Sequence, residues 1–315
     1  MKRKILLLIT LILIGLVFAS LSSSDSTAME EKPRNADTPG AEEQDLDETP
    51  KPDTHFRGSH GQLEHGVRCG TRPVSREESA DVQRTLDEFR ALRPPPGGSV
   101  TIPVVFHVIH DGTEGNVPDS MINAQLDVLN QGFAGTGYSF SMQAINRVEN
   151  RRWFTRCYSN QKFKQELAVD PTNTLNFYTC KPKGNILGYA YLPWSFDESN
   201  YHHGVVVLYS SLPGGGAVPY DEGDTGTHEV GHYLGLHHTF EGGCQDPGDE
   251  VADTPFEASP AFGCPAGRDT CAQAGLDPIT NFMDYTDDAC MFEFSGGQDT
   301  RMEEIVATYK PGLLN

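Results

Sequence analysis

Residues 228–238 read HEVGHYLGLHH, an H-E-x-x-H-x-x-G-x-x-H pattern with fixed spacing. On a helix, residues four positions apart lie one above the other on the same face, so His228 and His232 can bind one metal ion from the same side. Gly235 can adopt a left-handed conformation that ends the helix, after which the turning chain can bring His238 to the ion. Three protein ligands with an open fourth position are typical of a catalytic zinc site, whereas structural zinc sites are closed.

Glu229 directly follows the first predicted ligand and is close enough to reach a water on the ion. Zinc lowers the pKa of a bound water toward about 7, so we predict that Glu229 acts as its general base. A helix with solvated or core histidines would explain one His but not this constellation. His237 adjoins His238, and the spacing of the motif selects His238 as the ligand. His237 is then expected at the surface or beside the site.

A second motif stands downstream, where residues 281–285 read NFMDY. A long zinc motif followed by a Met-containing turn is the metzincin pattern. In that clan the Met side chain lies beneath the zinc ligands as an apolar floor, and Met283 fits this role. Ordinary core packing of Met283 is compatible with the same position.

Further segments extend the pattern, namely Thr239-Phe240, residues 251–255 and residues 294–298. Together with the two motifs they resemble the pappalysin family of metzincins, over roughly residues 100–310. The resemblance implies a zinc-dependent metalloendopeptidase of the α+β class. Its fold has a mixed twisted sheet with an active-site helix, above a loop-rich C-terminal subdomain. The position of Tyr285 implies a hydrogen bond to the developing oxyanion, although a Tyr packed in a turn is the alternative.

Local sequence patterns predict elements that suit this fold. Apolar runs and alternation predict strands, and helical spacing of apolar residues predicts helices. The strands are predicted at residues 100–110, 138–148, 175–180 and 204–209, and the helices at 118–133, 225–234 and 298–309. Asp119 and Ser75 are possible helix caps. Residues 239–280 lack periodicity, and a loop of this length needs staples or bound ions.

The cysteines of the chain can form disulfide bonds that hold such loops. Seven Cys in a secreted chain imply disulfides and one odd thiol. Cys157 and Cys180 flank one helix–strand unit and can pair. Spacing alone leaves three pairings open for the four Cys of the C-terminal half, and the family resemblance favours Cys244–Cys271 and Cys264–Cys290.

The remaining thiol is Cys69, in an Arg-Cys-Gly segment. This segment resembles the cysteine switch of other metzincin pro-regions, and a thiolate is a good zinc ligand. We therefore predict that Cys69 occupies the fourth zinc position in a latent form. An unpaired or intermolecular Cys is the alternative.

Three stretches of the chain differ in composition. Residues 1–19 have a basic start, an apolar run and small residues before a cleavage point, as in a secretory signal peptide. A retained membrane anchor is the alternative. Residues 20–93 are predicted as an acidic disordered spacer, to about residue 60, followed by a pro-segment. The Pro-Gly run at 93–98 marks a boundary, and residues 94–315 are predicted to be the catalytic domain.

The net charge of the chain limits the classes of molecule that it can bind. A formal net charge of −20 excludes nucleic-acid binding as a main function, because phosphate contacts need clustered Lys and Arg. The expected partners are protein or peptide substrates, with no membrane contact after signal cleavage. The oligomeric state is left open.

An acidic loop is a candidate for structural calcium. Asp246, Asp249, Asp253 and Thr254 offer hard oxygen ligands with no Lys or Arg nearby, and Asp-Thr-Pro resembles a calcium-binding segment of the family. A solvated acidic loop is the alternative.

The sequence says less about which substrate residues the enzyme prefers than about its metal site. No Lys or Arg stands between Lys183 and Arg268. Asp287 and Asp288 follow the Met-turn and can pair with a basic substrate residue after the scissile bond. Ala289 weakens the case, since relatives that favour basic residues have an acid just before this Cys. A generally acidic protein explains the same pattern.

The sequence therefore predicts a secreted zinc endopeptidase made as a latent zymogen. The main alternative is a zinc-bearing binding or adhesion module without physiological proteolysis. A zinc amidase is a second alternative, and the Met-turn argues against it.

Overall fold

A computed structural model of the chain describes residues 50–58, 60–92, 98–159 and 161–315. The predicted signal peptide, most of the acidic spacer and most of the Pro-Gly boundary lie outside these residues. No helix in the described part is long and apolar enough to cross a membrane. The helices and strands are, in chain order, β1 (Thr54–Arg57), β2 (Leu63–Gly66), α1 (Arg76–Leu92), β3 (Val100–His110), α2 (Asp119–Gly132), β4 (Tyr138–Glu149), α3 (Arg151–Arg156), α4 (Lys162–Leu167), β5 (Leu175–Cys180), β6 (Gly188–Ala190), β7 (Val205–Leu208), α5 (Asp224–Tyr233) and α6 (Gly296–Tyr309).

A five-stranded mixed sheet in the order β4-β3-β5-β7-β6 forms the upper half of the protein. β6 at one edge is antiparallel to β7, and the other neighbours are parallel. β3 and β5 are buried along most of their length because both faces of these inner strands are covered. The predicted fold class is confirmed, and the short edge strand β6 runs beside α5.

Two helices pack against this sheet in one core. Ile122 and Leu129 of α2 and Val230 of α5 are fully buried with the apolar side chains of β3, β5 and β7. The helix predicted at the zinc motif is therefore fixed to the sheet by its apolar face. Asp119 is the first residue of α2 and not its cap, because Pro118 precedes it and makes no side-chain cap.

The segment between α5 and α6 contains no α-helix or β-strand and is fully described. Cys244–Cys271 and Cys264–Cys290 join its loops, and Cys157–Cys180 ties the end of α3 to β5. All three predicted pairs are confirmed, and Cys69 is the free thiol. The bridges restrict the unfolded chain and so stabilise loops that have little regular structure.

The spacer was predicted to be disordered up to about residue 60, and this prediction is wrong for residues 54–57, which form β1. β1 pairs with β2 as an antiparallel hairpin. Phe56 is only 1% exposed and packs with Leu187, Leu208 and Tyr220. One aromatic side chain in a polar stretch thus finds an apolar partner surface far away in the sequence.

Candidate active site

α5 places the first two predicted ligands side by side at the centre of the protein. His228 and His232 are almost completely buried. Nδ1 of His228 lies 2.7 Å from the carbonyl oxygen of Phe282, and Nδ1 of His232 lies 2.8 Å from that of Leu236. A ring that donates from Nδ1 keeps an unprotonated Nε2, which is the state that binds metal. Nε2 of His228 has no hydrogen-bond partner among the described residues.

Gly235 turns the chain back toward the same point. Its φ of 103° is in the left-handed region, and a Cβ at this position would overlap Ile305. The turn brings Nε2 of His238 to 3.0 Å from Nε2 of His232. Two acceptor nitrogens this close favour a cation between them. The three predicted ligands are therefore brought together as the motif requires.

Cys69 completes the donor set. Its Sγ lies 3.6 Å from Nε2 of His232, and the donor atoms of Cys69 and the three His lie within 4.8 Å of one another. Burial raises the pKa of the Cys69 thiol, and the Glu229 carboxyl adds to the effect. A divalent cation acts in the opposite direction, because it binds the thiolate. Three imidazole nitrogens and one sulfur in a buried site fit zinc.

Glu229 lies beside this cluster, completely buried. Its Oε2 accepts a hydrogen bond of 3.1 Å from the Thr71 hydroxyl. Burial raises the pKa of Glu229 to about 8, against the lowering effect of the Cys69 and Thr71 hydrogen bonds and the Arg68 charge. Gly188 of β6 passes directly over it, and a Cβ there would lie 2.6 Å from Cγ of Glu229. Only glycine lets β6 come this close to the predicted base.

The Met-turn forms the floor of the site. Met283 is fully buried, and a Cβ on Gly231 of α5 would overlap its sulfur, so the helix and the turn are in close contact. Tyr285 is also buried, and its hydroxyl lies 3.2 Å from Nε2 of His238. Met283 thus lies against the helix of the first two His, and Tyr285 beside the third.

Arg68 was missed by sequence reasoning, although it directly precedes Cys69. It is fully buried, and its guanidinium donates to the Thr225 hydroxyl at 3.2 Å. It also lies 3.8 Å from an oxygen of Asp288 and 4.9 Å from the centre of the Tyr220 ring. The Arg side chain thus fills a pocket next to the metal site.

Asp288 supplies the negative charge of this pocket. Its Oδ2 accepts hydrogen bonds from the backbone N–H groups of Glu222 and Gly223, at 2.9 and 3.2 Å. Ala289 is exposed and Asp287 is half-buried. The buried acid of this pocket is thus Asp288, and position 289 adds none.

The predicted calcium residues are only partly brought together. Asp249 is buried and accepts from the Thr254 hydroxyl at 2.7 Å. Asp253 instead accepts from Ser295 at 2.6 Å and from the backbone of Gly297 at 2.8 Å, at the start of α6. Asp246 is exposed. Among the described residues, the cluster of Cys69 with the three His is the only group of three or more His, Cys, Asp or Glu placed to share an ion.

His237 lies outside the group of converging donors and is buried beside the site, so of its two expected positions the one at the surface is wrong. It is 5% exposed, and its Nε2 lies 2.8 Å from the Arg301 guanidinium and 3.5 Å from Glu250. The chain turns at Gly235, so adjacent residues 237 and 238 point to opposite sides. His237 joins α6 while His238 faces the metal site.

Comparison with known proteins agrees with this geometry. The family profile Peptidase_M43, described as pregnancy-associated plasma protein-A, matches residues 158–307. An extracellular metalloprotease of Sordaria macrospora is 41% identical over 254 residues, which are 77% of this chain and 88% of the relative. One from Verticillium alfalfae is 42% identical over 256 residues, with shares of 77% and 89%.

Two solved structures from Tannerella forsythia are similar at 28% identity. A Glu-to-Ala mutant of promirolysin matches with a TM-score of 0.66, over 78% of this chain and 97% of that one. Mature mirolysin in complex with a cleaved peptide matches with a TM-score of 0.60, over 70% and 97%. Because the fungal relatives share about two-fifths of the aligned residues over most of their length, the chain belongs to the pappalysin family of extracellular zinc metalloendopeptidases.

Proposed function

We propose that this chain is a secreted zinc endopeptidase that cleaves protein and peptide substrates and is made as a latent zymogen. The observation that carries the proposal is the convergence of three His nitrogens and the Cys69 sulfur within 4.8 Å, with Glu229 alongside. His228, His232 and His238 would hold the zinc. When bound, zinc supplies a Lewis acid for the scissile carbonyl and lowers the pKa of a water.

Glu229 is the proposed general base. With Thr71 withdrawn, the carboxylate that it contacts at 3.1 Å can take a proton from the attacking water and deliver it to the leaving amine. The Tyr285 hydroxyl, 3.2 Å from His238, is close enough to donate to the developing oxyanion. β6 is an edge strand, so its backbone groups can pair with an extended substrate.

The latent form is supported by the course of the pro-segment through the cleft. The backbone N–H of Gly70 donates to the carbonyl of Gly188 at 2.8 Å, and that of Ala190 donates to the Thr71 hydroxyl at 2.9 Å. These bonds occupy the groups of β6 that a substrate needs. The chain is similar both to promirolysin, over 78% of its length, and to mature mirolysin, over 70%.

The Cys69→Ala variant of the full-length protein is expected to become active or to process itself sooner than the wild type. The variant lacks the sulfur that lies with the three His donors, so a water molecule can occupy the fourth coordination position of the zinc earlier. The measurement is a time course of fluorogenic peptide cleavage with gel analysis of the chain.

Cys69→Ser separates metal binding from packing. A hydroxyl keeps the size of the thiol but is a much weaker zinc ligand. If ligation maintains latency, the Ser and Ala variants should behave alike. Equal latency in all three proteins would contradict the role of Cys69.

A structural calcium ion near Asp249 remains a proposal. Burial raises the pKa of Asp249 to about 7, and a cation is a natural partner for a buried carboxylate. We expect added calcium to raise the melting temperature, by the equivalent of about 3 kcal/mol at a hundredfold excess over Kd. The Asp249→Asn variant should lose this response, while Asp269→Asn, at an exposed site, should keep it. Coinciding melting curves with calcium and with a calcium-selective chelator would speak against the ion.

A further inference from the structure

We propose that residues 50–92, once cut from the catalytic domain, remain bound to it as a noncovalent inhibitor, with α1 docked on α6 as a clamp that does not need zinc. The inference rests on the proposed zymogen function and concerns its regulation. It assigns a docking surface to α6 and names its occupant, the pro-segment of the same chain.

The apolar part of this docking surface is formed by side chains of α1, α6 and Trp194. Val82 and Leu86 of α1 are 4% and 0% exposed and pack against Ile305 of α6, with Trp194 and Tyr309 around them. These five side chains form their own cluster, separate from the core of the sheet. The cluster therefore contains neither Cys69 nor any of the three His that converge with it.

Charged and polar contacts hold both ends of α1. Near its C-terminus, Arg90 makes two hydrogen bonds to the Glu304 carboxylate, at 2.7 and 2.5 Å. The Glu304 side chain is only 8% exposed, so this bidentate pair is shielded from water on one side. Near the N-terminus of α1, Ser79 donates to Glu250, which also pairs with Arg301 at 2.7 Å.

A second anchor precedes residues 67–71, the segment that crosses the metal site and is called the cleft segment below. Phe56 of β1 is buried, and the Thr54 hydroxyl lies 2.9 Å from that of Tyr220. The backbone N–H of Arg57 donates to the carbonyl of Val218 at 2.8 Å. Residues 67–71, which cross the metal site, are thus flanked by one anchor before them and one after them.

Both anchors lie before residue 93, so a cut at the domain boundary does not by itself release the pro-segment. A cut after Leu92 breaks the covalent link but none of the contacts named above. Release then requires α1, the cleft segment and the hairpin to leave together, and the rate of release controls activity. Cleavage and activation become two separate steps.

The test uses the full-length protein with a recognition sequence for a highly specific protease inserted after Leu92. In a Glu229→Gln background, which prevents self-digestion, the cut pieces should co-elute in size-exclusion chromatography. They should do so also with Cys69→Ala and with a zinc chelator. In the active background, the cut protein should stay inactive and gain activity on dilution.

Variants of α1 assign the clamp. Leu86→Ala and Arg90→Glu should release the segment at least about tenfold faster than the cut wild type, since each removes one central contact of the surface. Arg84→Glu is the matched control, because Arg84 pairs with Asp81 on the exposed face of the same helix. It should behave like the wild type.

Two results would overturn the proposal. One is separation of the pieces with full activity immediately after the cut. The other is equal release rates for Leu86→Ala, Arg90→Glu and Arg84→Glu. Co-elution is measured without activity, so a protein whose pieces co-elute but which never cleaves peptides would refute the proposed protease function and leave the clamp intact.

Discussion

Replacing Glu229 with Gln is expected to abolish nearly all peptide cleavage while zinc remains bound. Glu229 is not among the four side chains whose donor atoms converge. An amide has the same shape and can keep the Thr71 contact, but it cannot accept the proton of the attacking water. General-base catalysis contributes about 10²–10⁴-fold to the rate, so we expect kcat to fall by about that factor.

The measurement compares zinc content and peptide hydrolysis after removal of the pro-segment. Glu166→Gln is the control, because Glu166 is exposed on α4, away from the cleft. It should retain both zinc and full activity. If Glu229→Gln kept more than about a tenth of the activity, the general base would have to be another group. Loss of zinc with the activity would instead make Glu229 a structural support of the ligands.

The parts of the fold that follow from the sequence are those set by local contacts. The run at 100–110 is apolar almost throughout because β3 is an inner strand, and helical spacing alone places His228 and His232 on one face of α5. The turn to His238 is equally local, since Gly235 needs its left-handed φ of 103° for the chain to reverse. The convergence of the three His could therefore be predicted from local spacing.

The parts that the sequence did not reveal depend on distant partners. Arg68 is buried because Asp288 lies opposite, and Phe56 is buried because of Leu187. Neither position has a periodic pattern that marks it as buried. Gly188 is required only because Glu229 lies beneath it across the cleft. Pairs of this kind need the three-dimensional arrangement, which one sequence does not contain.

The acidic loop shows the limit of composition as an argument. Its carboxylates are as dense as a calcium site requires, yet Asp253 is used at the start of α6, where backbone N–H groups and the helix dipole favour a negative charge. Asp249 accepts from the Thr254 hydroxyl, and Asp246 is exposed. Composition indicates that oxygen ligands are available, and the fold decides which of them point to one place.

A large effect is also expected on substrate specificity, and the pro-segment indicates which pocket determines it. Arg68 occupies a pocket beside the metal site, against Asp288, Thr225 and Tyr220. The guanidinium of a substrate Arg, or the ammonium of Lys, fits the same surroundings once the pro-segment has left. We therefore expect the free enzyme to prefer peptide bonds followed by Arg or Lys.

Asp288→Asn is expected to remove this preference. Removing one partner of a buried charge pair costs at least about 2 kcal/mol, which is a drop of about thirtyfold in kcat/KM for peptides with Arg after the scissile bond. Peptides with an aliphatic residue there should be cleaved as before. Asp287→Asn is the matched control, since Asp287 is the adjacent, half-buried carboxylate. A peptide-library profile of the three enzymes measures both effects.

The pH dependence provides an independent check on the same carboxylate. With the pro-segment bound, burial raises the pKa of Asp288 to about 6, against the lowering effect of the Arg68 charge. Below its pKa the group is protonated and neutral, so its attraction for a cationic side chain is lost. The ratio of kcat/KM for Arg over aliphatic peptides should therefore fall as the pH decreases through the pKa that Asp288 has in the free enzyme, and the Asn variant should show a flat ratio. A wild-type profile without enrichment of Arg or Lys would remove the electrostatic explanation and leave only a generally acidic protein.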